Sequence, residues 1–130
     1  MIKKEFNFGT LKIYSTYMIS EFNKDIKVTA KIAYKIIDEG NKHFNGKQWG
    51  YISNRFHTYT VNPAIYTELL KLRDTIVAYA VVSYRKETEL VVLAEQAFIG
   101  SDYDFQVFDN LNHAIAWTDS VVKQTRNKTE

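Results

Sequence analysis

A chain of 130 residues with 45% hydrophobic and 15% aromatic content is long enough to bury one core and too short for two ordinary domains. Its 17 basic and 15 acidic side chains leave a net charge of only +2, so the strong positive field that attracts nucleic acid is absent. The sequence has no cysteine, which excludes disulfides, thiolate catalysis and cysteine-ligated metal sites. We therefore predict one domain over residues 1–130 that binds no nucleic acid.

The N-terminal segment MIKKEFNFGTLKIY places a charged or polar side chain every few positions, so it lacks the apolar stretch of a signal peptide. No window of the sequence approaches the roughly 20 apolar residues of a transmembrane helix. These features predict a cytoplasmic protein without a membrane span. The composition, rich in Lys, Asn, Ile and Tyr, is typical of AT-rich bacterial genomes.

The first elements predicted are a β-hairpin and a third strand. In FNFGTLKI, residues 6–13, apolar and polar side chains alternate on both sides of Gly9, which is the pattern of two half-buried strands joined at a glycine. YMISEF, residues 17–22, alternates in the same way, and the polar segment after it ends the strand. We expect these antiparallel strands to form one edge of the sheet.

A helix and a strand are predicted next. Thr29 is a suitable N-cap, and the apolar residues after it recur near the 3.6-residue period of an amphipathic helix. Gly40, or the Asn-Gly pair at 45–46, would end this helix. QWGYIS, residues 48–53, then predicts a strand.

Asn62 and Pro63 give the clearest local signal in the chain. Asparagine at an N-cap accepts a hydrogen bond from a free backbone N–H, and proline fits the first helical position because it has no N–H to lose. This pair predicts a helix over residues 65–72. TIVAYAVVS, residues 75–83, is apolar at nearly every position and predicts a central strand covered on both faces.

The last part of the chain predicts a helix, a strand and another helix. Residues 86–98 place their apolar side chains on one helical stripe, and DFQVFD at 104–109 alternates as a short strand. A final helix, capped by Asp109 or Asn110, completes the chain. KQTRNKTE, residues 123–130, is predicted to be a solvated and frayed tail.

The order of these elements indicates the fold class. Three strands and a helix are followed by strands that alternate with helices, and strand–helix–strand crossovers join parallel strands with a right-handed connection. We therefore predict a single α/β domain. Its mixed sheet would have an N-terminal antiparallel hairpin and a parallel β-α-β-α-β-α second half.

Three segments of the sequence resemble the SpoIIAA-like group, relatives of the STAS domains found in anti-sigma factor antagonists and anion transporters. These segments are WGYISNR at 49–55, YTVNP at 59–63 and DFQVFDNLNHAIAWTDSVV at 104–122. The resemblance covers nearly the whole chain, and its last helix places Ala114 and Trp117 in the group's pattern. It implies a STAS-type fold and either a regulatory module or, by a second analogy, a lipid-binding carrier.

The phosphorylation motif of STAS antagonists is missing from this chain. The resemblance implies a phosphorylatable serine in a D-S-S-G-type loop between a parallel strand and its helix. Ser53 lies near that position, but Asn54 and Arg55 follow it in place of a second serine and a glycine. A phospho-switch is therefore not predicted.

The polar segments after the parallel strands form the candidate site. In an open parallel sheet, ligands bind at the carboxyl ends of the strands, where the strand-to-helix loops gather. Here those loops are residues 53–62, 83–86 and 109–112, and two arginines near helix N-termini suit a phosphate or carboxylate. The predicted ligand- or partner-binding residues are Ser53, Asn54, Arg55, His57, Tyr59, Ser83, Tyr84 and Arg85, with Asn110 and Asn112 in the third loop.

An ordinary surface loop is the competing interpretation of the same residues. Asn54 would then make a turn, Arg55 would pair with Glu87 or Glu89, and His57 would be half exposed. No catalytic residues are predicted, since no serine stands in a G-x-S-x-G elbow. The three histidines are scattered without a second ligand at i+3 or i+4, so we predict no metal site and no cofactor.

We expect a non-catalytic cytoplasmic binding or regulatory module that acts through protein–protein interaction, with its partner on the 53–62 loop. The nine tyrosines suit a self-association surface, because one end of the side chain is apolar and the other can hydrogen-bond, and a homodimer is expected. The alternative function is that of a small-molecule-binding protein. Its ligand would be anionic or lipid-like and would lie in the loops at the carboxyl ends of the strands.

Overall fold

A computed structural model describes residues 1–57, 60–62, 64–85, 92–97 and 104–129 of the chain. Within these residues the strands are β1 (Ile2–Phe6), β2 (Gly9–Ile13), β3 (Tyr17–Phe22), β4 (Lys27–Val28), β5 (Trp49–Arg55), β6 (Thr60–Val61), β7 (Ile76–Ser83) and β8 (Phe105–Phe108). The helices are α1 (Ala30–Phe44), α2 (Ala64–Lys71), α3 (92–97) and α4 (Leu111–Thr129).

Six strands form one mixed sheet in the order β1-β2-β3-β5-β7-β8. The pairs β1–β2 and β2–β3 are antiparallel, whereas β3–β5, β5–β7 and β7–β8 are parallel. This confirms the predicted α/β fold with an antiparallel N-terminal edge and a parallel second half. Each parallel crossover moves one strand further in the same direction, so right-handed connections place α1, α2 and α3 on one face of the sheet.

The sheet has a separate apolar cluster on each face. On the first face, Leu11, Trp49 and Tyr79 pack with residues of α1, α2 and α3. On the second face, Ile52 and Ala114 belong to a smaller cluster that α4 covers. Every residue of β7 is buried, as expected for a central strand with helices on both sides.

The predicted helix caps are confirmed where the structure describes them. The Oγ1 atom of Thr29 accepts from the N–H of Ile32 at 3.4 Å, and Oδ1 of Asn62 accepts from the N–H of Ala64 at 3.0 Å. Oδ1 of Asn110 likewise accepts from a backbone N–H of the first turn of α4, at 3.2 Å. Helix α1 ends at Asn45, whose φ of 48° is left-handed, so the Asn-Gly pair ends the helix and Gly40 does not.

One short strand was not predicted, and one expectation about an irregular segment is wrong. Strand β3 ends at Phe22 as predicted, but β4 follows at Lys27–Val28 and pairs in parallel with β6 in a separate two-stranded sheet. The predicted frayed tail is helical, because α4 continues to Thr129. Arg126 holds this part of α4 against the sheet: its Nε donates to the carbonyl oxygen of Gln48 at 2.9 Å, and Nη2 donates to that of Ser15 at 3.3 Å.

Some predictions fall outside the described residues. These are Pro63 as the first helical residue, Tyr59 as a site residue, and the parts of the predicted 86–98 helix at 86–91 and at residue 98.

A buried carboxylate on α1 ties that helix to the edge strand β1. Glu39 is 5% exposed, and its oxygens lie 2.6 Å from Nζ of Lys4 and 3.3 Å from Nζ of Lys35. The hydrogen bond from Lys4, and next the one from Lys35, hold the pKa of Glu39 below its usual range despite its burial. A carboxylate whose folded pKa is depressed stabilises the fold above its unfolded pKa, and this contribution disappears as the pH falls through the folded value.

We therefore expect the free energy of unfolding to fall on acidification from about pH 4.3, the ordinary glutamate value, downward. Lys4→Met should make this pH dependence shallower, since it removes the main cause of the depressed pKa. Urea denaturation between pH 7 and pH 3 measures the effect. Lys42→Met, which removes a partner of the exposed Asp38, is the control, and equal slopes for Lys4→Met and wild type would contradict the expectation.

Candidate functional site

The first predicted site residues lie in a strand and not in a loop. Strand β5 continues to Arg55, pairs with β7 as far as Ser83, and is buried along its whole length. The loop predicted to begin at Ser53 therefore begins after Arg55. Because side chains alternate along a strand, Ser53 and Arg55 point to the face of α1–α3, whereas Asn54 points to the face of α4.

Arg55 forms a buried ion pair with Glu95 of α3. Its Nη1 and Nη2 atoms donate to Oε1 and Oε2 of Glu95 at 2.6 and 2.7 Å, and the two side chains are 4% and 3% exposed. Nε of Arg55 donates to Oγ of Ser53 at 3.2 Å. The predicted anion cradle is not supported at Arg55, because Glu95 already balances its charge. The partners expected from sequence, Glu87 and Glu89, lie outside the described residues.

A second hydrogen-bonded group lies on the other face of the same strand ends. Nδ2 of Asn54 donates to Oε2 of Glu21 at 3.2 Å, and the hydroxyl of Tyr84 donates to Oδ1 of Asn54 at 2.7 Å. Lys12 pairs with Glu21 at 2.8 Å, and the hydrogen bond to Glu21 raises the pKa of Lys12. Burial, and next the charge of Glu21, raise the pKa of Tyr84, so its hydroxyl remains a hydrogen-bond donor.

This group holds one half of an exposed aromatic pair. The rings of Phe56 and Tyr84 stack with centroids 4.9 Å apart and planes 4° apart, yet the residues are 47% and 43% exposed. They directly follow β5 and β7, so they lie at the carboxyl ends of two adjacent parallel strands. We name these two residues the aromatic platform. His57 and Arg85, the next residues in the chain, are exposed beside them.

The predicted site residues thus lie in three places: on each of the two faces of the sheet and at the ends of the strands. Ser53 and Arg55 meet on the face of α1–α3, and Asn54 and Tyr84 meet on the opposite face. Oγ of Ser83 donates to the carbonyl oxygen of Arg85 at 3.1 Å and so shapes the turn after β7. Asn110 caps α4, the exposed Asn112 lies in its first turn, and the structure does not describe Tyr59.

Phe56 is the residue of this surface that sequence reasoning missed. It stands inside a polar run, where an apolar residue is expected to be buried, and nothing in the local pattern indicates its contact with Tyr84. The alternation of side chains along β5 was the signal that could have located Phe56. Extending that strand by two residues would have placed Phe56 just beyond its end.

Two features are absent from the described residues. No group of three or more histidine, aspartate or glutamate side chains is arranged to hold a metal ion within 1–57, 60–62, 64–85, 92–97 and 104–129. Over the same residues, no helix is long and apolar enough to cross a membrane.

Comparison of the chain with protein-family models, with curated proteins and with solved structures finds no match. The SpoIIAA-like resemblance therefore stays a prediction.

Proposed function

We propose that this protein is a non-catalytic binding module that docks a protein partner on the aromatic platform. The observation that carries the proposal is the half-exposed stacked pair of Phe56 and Tyr84 at the carboxyl ends of β5 and β7. Binding sites of parallel α/β sheets lie at this end of the strands. About half of each of these two aromatic residues remains exposed to water in the fold. A partner that covers them would therefore bury additional apolar surface.

The platform is also held in place before any partner arrives. The Tyr84 hydroxyl is fixed by Asn54, which is fixed in turn by Glu21, and the Phe56 ring lies against that of Tyr84. A surface that is already ordered loses little side-chain entropy on binding. Aromatic residues at the centre of an interface with polar residues around them are typical of protein–protein contacts, and His57 and Arg85 supply such a polar rim.

The regulatory role, the cytoplasmic location, the SpoIIAA-like relationship and the homodimer belong to this same proposal. A second copy of the chain is the first partner to test, because the purified protein alone suffices for the experiment. The anionic ligand of the alternative function is less favoured, since Arg55, one of the two arginines predicted to bind it, is already paired with Glu95.

Phe56→Ala is expected to weaken partner binding by about 30-fold or more, the effect of losing about 2 kcal/mol at an interface hot spot. Native mass spectrometry over a concentration series measures this directly if the partner is a second copy. For another protein, a photo-crosslinking residue at position 56 captures the partner, and calorimetry with the purified partner then gives the affinity. Thermal unfolding should stay close to wild type because Phe56 is half exposed.

Tyr34→Ala is the matched control, because Tyr34 is an equally exposed aromatic residue, 52% exposed, on the outer face of α1. It should bind the partner as wild type does. Equal affinities for the Phe56→Ala, Tyr34→Ala and wild-type proteins would show that the platform is not the docking surface.

A further inference from the structure

A cavity of about 50 Å³ lies between the sheet and the helices α1 and α2. At about 10–15 Å³ for each water-sized group, it has room for only a few such groups. Most of its lining is apolar, and Trp49, Ile36 and Ile65 contribute from three different elements. The half-buried lining residues Ala33, Ile37 and Val61 mark the side on which it approaches the surface.

Trp49, one of the residues that line this cavity, carries an unused hydrogen-bond donor. The residue is fully buried, and its indole N–H has no hydrogen-bond partner among the described residues. A Cβ atom placed on Gly40 of α1 would lie 2.3 Å from Cζ2 and 2.9 Å from Cε2 of Trp49, so the ring edge next to Nε1 faces α1. The donor therefore lies in the layer between sheet and helix that the cavity occupies. Buried N–H groups are rarely left without an acceptor in folded proteins.

The charges at the other end of the cavity favour a neutral occupant. Ser53 and Arg55 line that end, and the guanidinium of Arg55 is paired by both nitrogens with Glu95. A carboxylate or phosphate entering there would have to compete with Glu95 for the same charge in a setting of low polarity. A neutral molecule meets no such competition.

We infer that this cavity binds a small neutral molecule with an apolar body of a few heavy atoms and one hydrogen-bond acceptor, which accepts from the indole N–H of Trp49. This site is separate from the aromatic platform and does not depend on the function proposed for it. The platform lies on the outer surface at the strand ends, whereas the cavity lies under α1 and α2.

Butan-2-one is the probe, and ¹H–¹⁵N NMR of the whole protein is the measurement. The chain has two tryptophans, so its spectrum should contain two indole N–H signals, and Trp117→Phe assigns them. Titration should move the Trp49 signal downfield in a saturable way, with a dissociation constant on the order of millimolar for a ligand of about five heavy atoms. Trp117, which packs on the α4 face, is the internal reference and should not move.

Two further probes test separately how the hydrogen-bond acceptor and the charge of the ligand affect binding when its shape or size is similar. 2-Methylbut-1-ene has the shape of butan-2-one with a CH₂ group in place of the oxygen, and it should bind at least about tenfold more weakly. Propanoate, an anion of similar size, should produce no saturable shift of the Trp49 signal. Equal binding of the alkene would overturn the acceptor assignment, and tighter binding of propanoate would overturn the preference for a neutral molecule.

Cavity-filling variants locate the binding. Ala33→Leu and, independently, Val61→Leu add side-chain volume to the lining and should abolish the Trp49 shift. Ala30→Leu makes the same change at an exposed position of α1 and should bind butan-2-one as wild type does. Absence of a saturable shift in wild type, or a shift that persists in both filled variants while they remain folded, would overturn the inference.

Discussion

Glu95→Ala is expected to lower the free energy of unfolding by about 3–5 kcal/mol, as measured by urea denaturation at pH 7. The substitution leaves the guanidinium of Arg55 in a site where it is 4% exposed and has lost both of its bonds to the carboxylate. A buried charge without a partner is penalised far more than a surface ion pair contributes. Natural domains are stable by about 5–15 kcal/mol, so this single change removes a large share of the total.

The double variant Arg55→Met, Glu95→Leu should recover most of that loss. Apolar residues of similar length remove the two buried charges together, and such replacements are commonly neutral or stabilising. Lys42→Met, which breaks an exposed pair with Asp38, should leave the free energy of unfolding close to that of wild type, because water screens an exposed ion pair. A double variant as unstable as Glu95→Ala would show that the ion pair itself, and not the buried charge that has lost its carboxylate, determines stability here.

Variants of the Arg55–Glu95 ion pair also distinguish the residues that stabilise the fold from those proposed to bind the partner. If the aromatic platform acts as proposed, the double variant should retain partner binding, because the rings of Phe56 and Tyr84 stack on each other at the exposed strand ends whereas the Arg55–Glu95 pair is buried. A surface-loop position for Arg55, as predicted from the sequence, would make Arg55→Ala nearly neutral for the free energy of unfolding. The structure reverses that expectation, since the substitution would leave the carboxylate of Glu95 buried and unpaired.

The sequence could not reveal this role of Arg55, because its partner lies 40 residues away in the chain. An arginine after an apolar strand looks like the start of a surface loop when only its neighbours are considered. At that end of β5, Arg55 is buried together with Glu95 of α3. Tertiary contacts of this kind leave no periodic signal in the sequence.

Elements with local signals were predictable from sequence. The cap at Thr29, the Asn-Gly end of α1 and the continuous apolar run of β7 each depend on residues close together in the chain. The β4–β6 pair has only two residues in each strand, too few for an alternating pattern to be recognised. The tail was mistaken for disorder because its charged residues suggest solvent, whereas Arg126 bonds the carbonyl groups of Gln48 and Ser15.

A close approach of α4 to the sheet at Gly50 is the basis of the second large prediction. Gly50 of β5 faces α4, and a Cβ atom there would lie 2.3 Å from Cγ2 of Thr118 and 3.1 Å from Cγ2 of Val122. Both of these residues are fully buried. Alanine would otherwise be favoured in a strand because it restricts the unfolded chain. The steric clash outweighs that gain, and Gly50→Ala is expected to lower the free energy of unfolding by about 2–3 kcal/mol.

Two changes at Thr118 test whether this clash is the cause. Thr118→Ser removes Cγ2, so in that background Gly50→Ala should cost less than about 1 kcal/mol, a coupling of the size that contacting residues show. Thr118→Val keeps the methyl group and should not relieve the loss. On its own it should stabilise the fold by about 1 kcal/mol, because Oγ1 of Thr118 is buried and has no hydrogen-bond partner among the described residues. Equal costs of Gly50→Ala in the serine and valine backgrounds would contradict the steric explanation and would indicate instead that the backbone of β5 requires glycine for another reason.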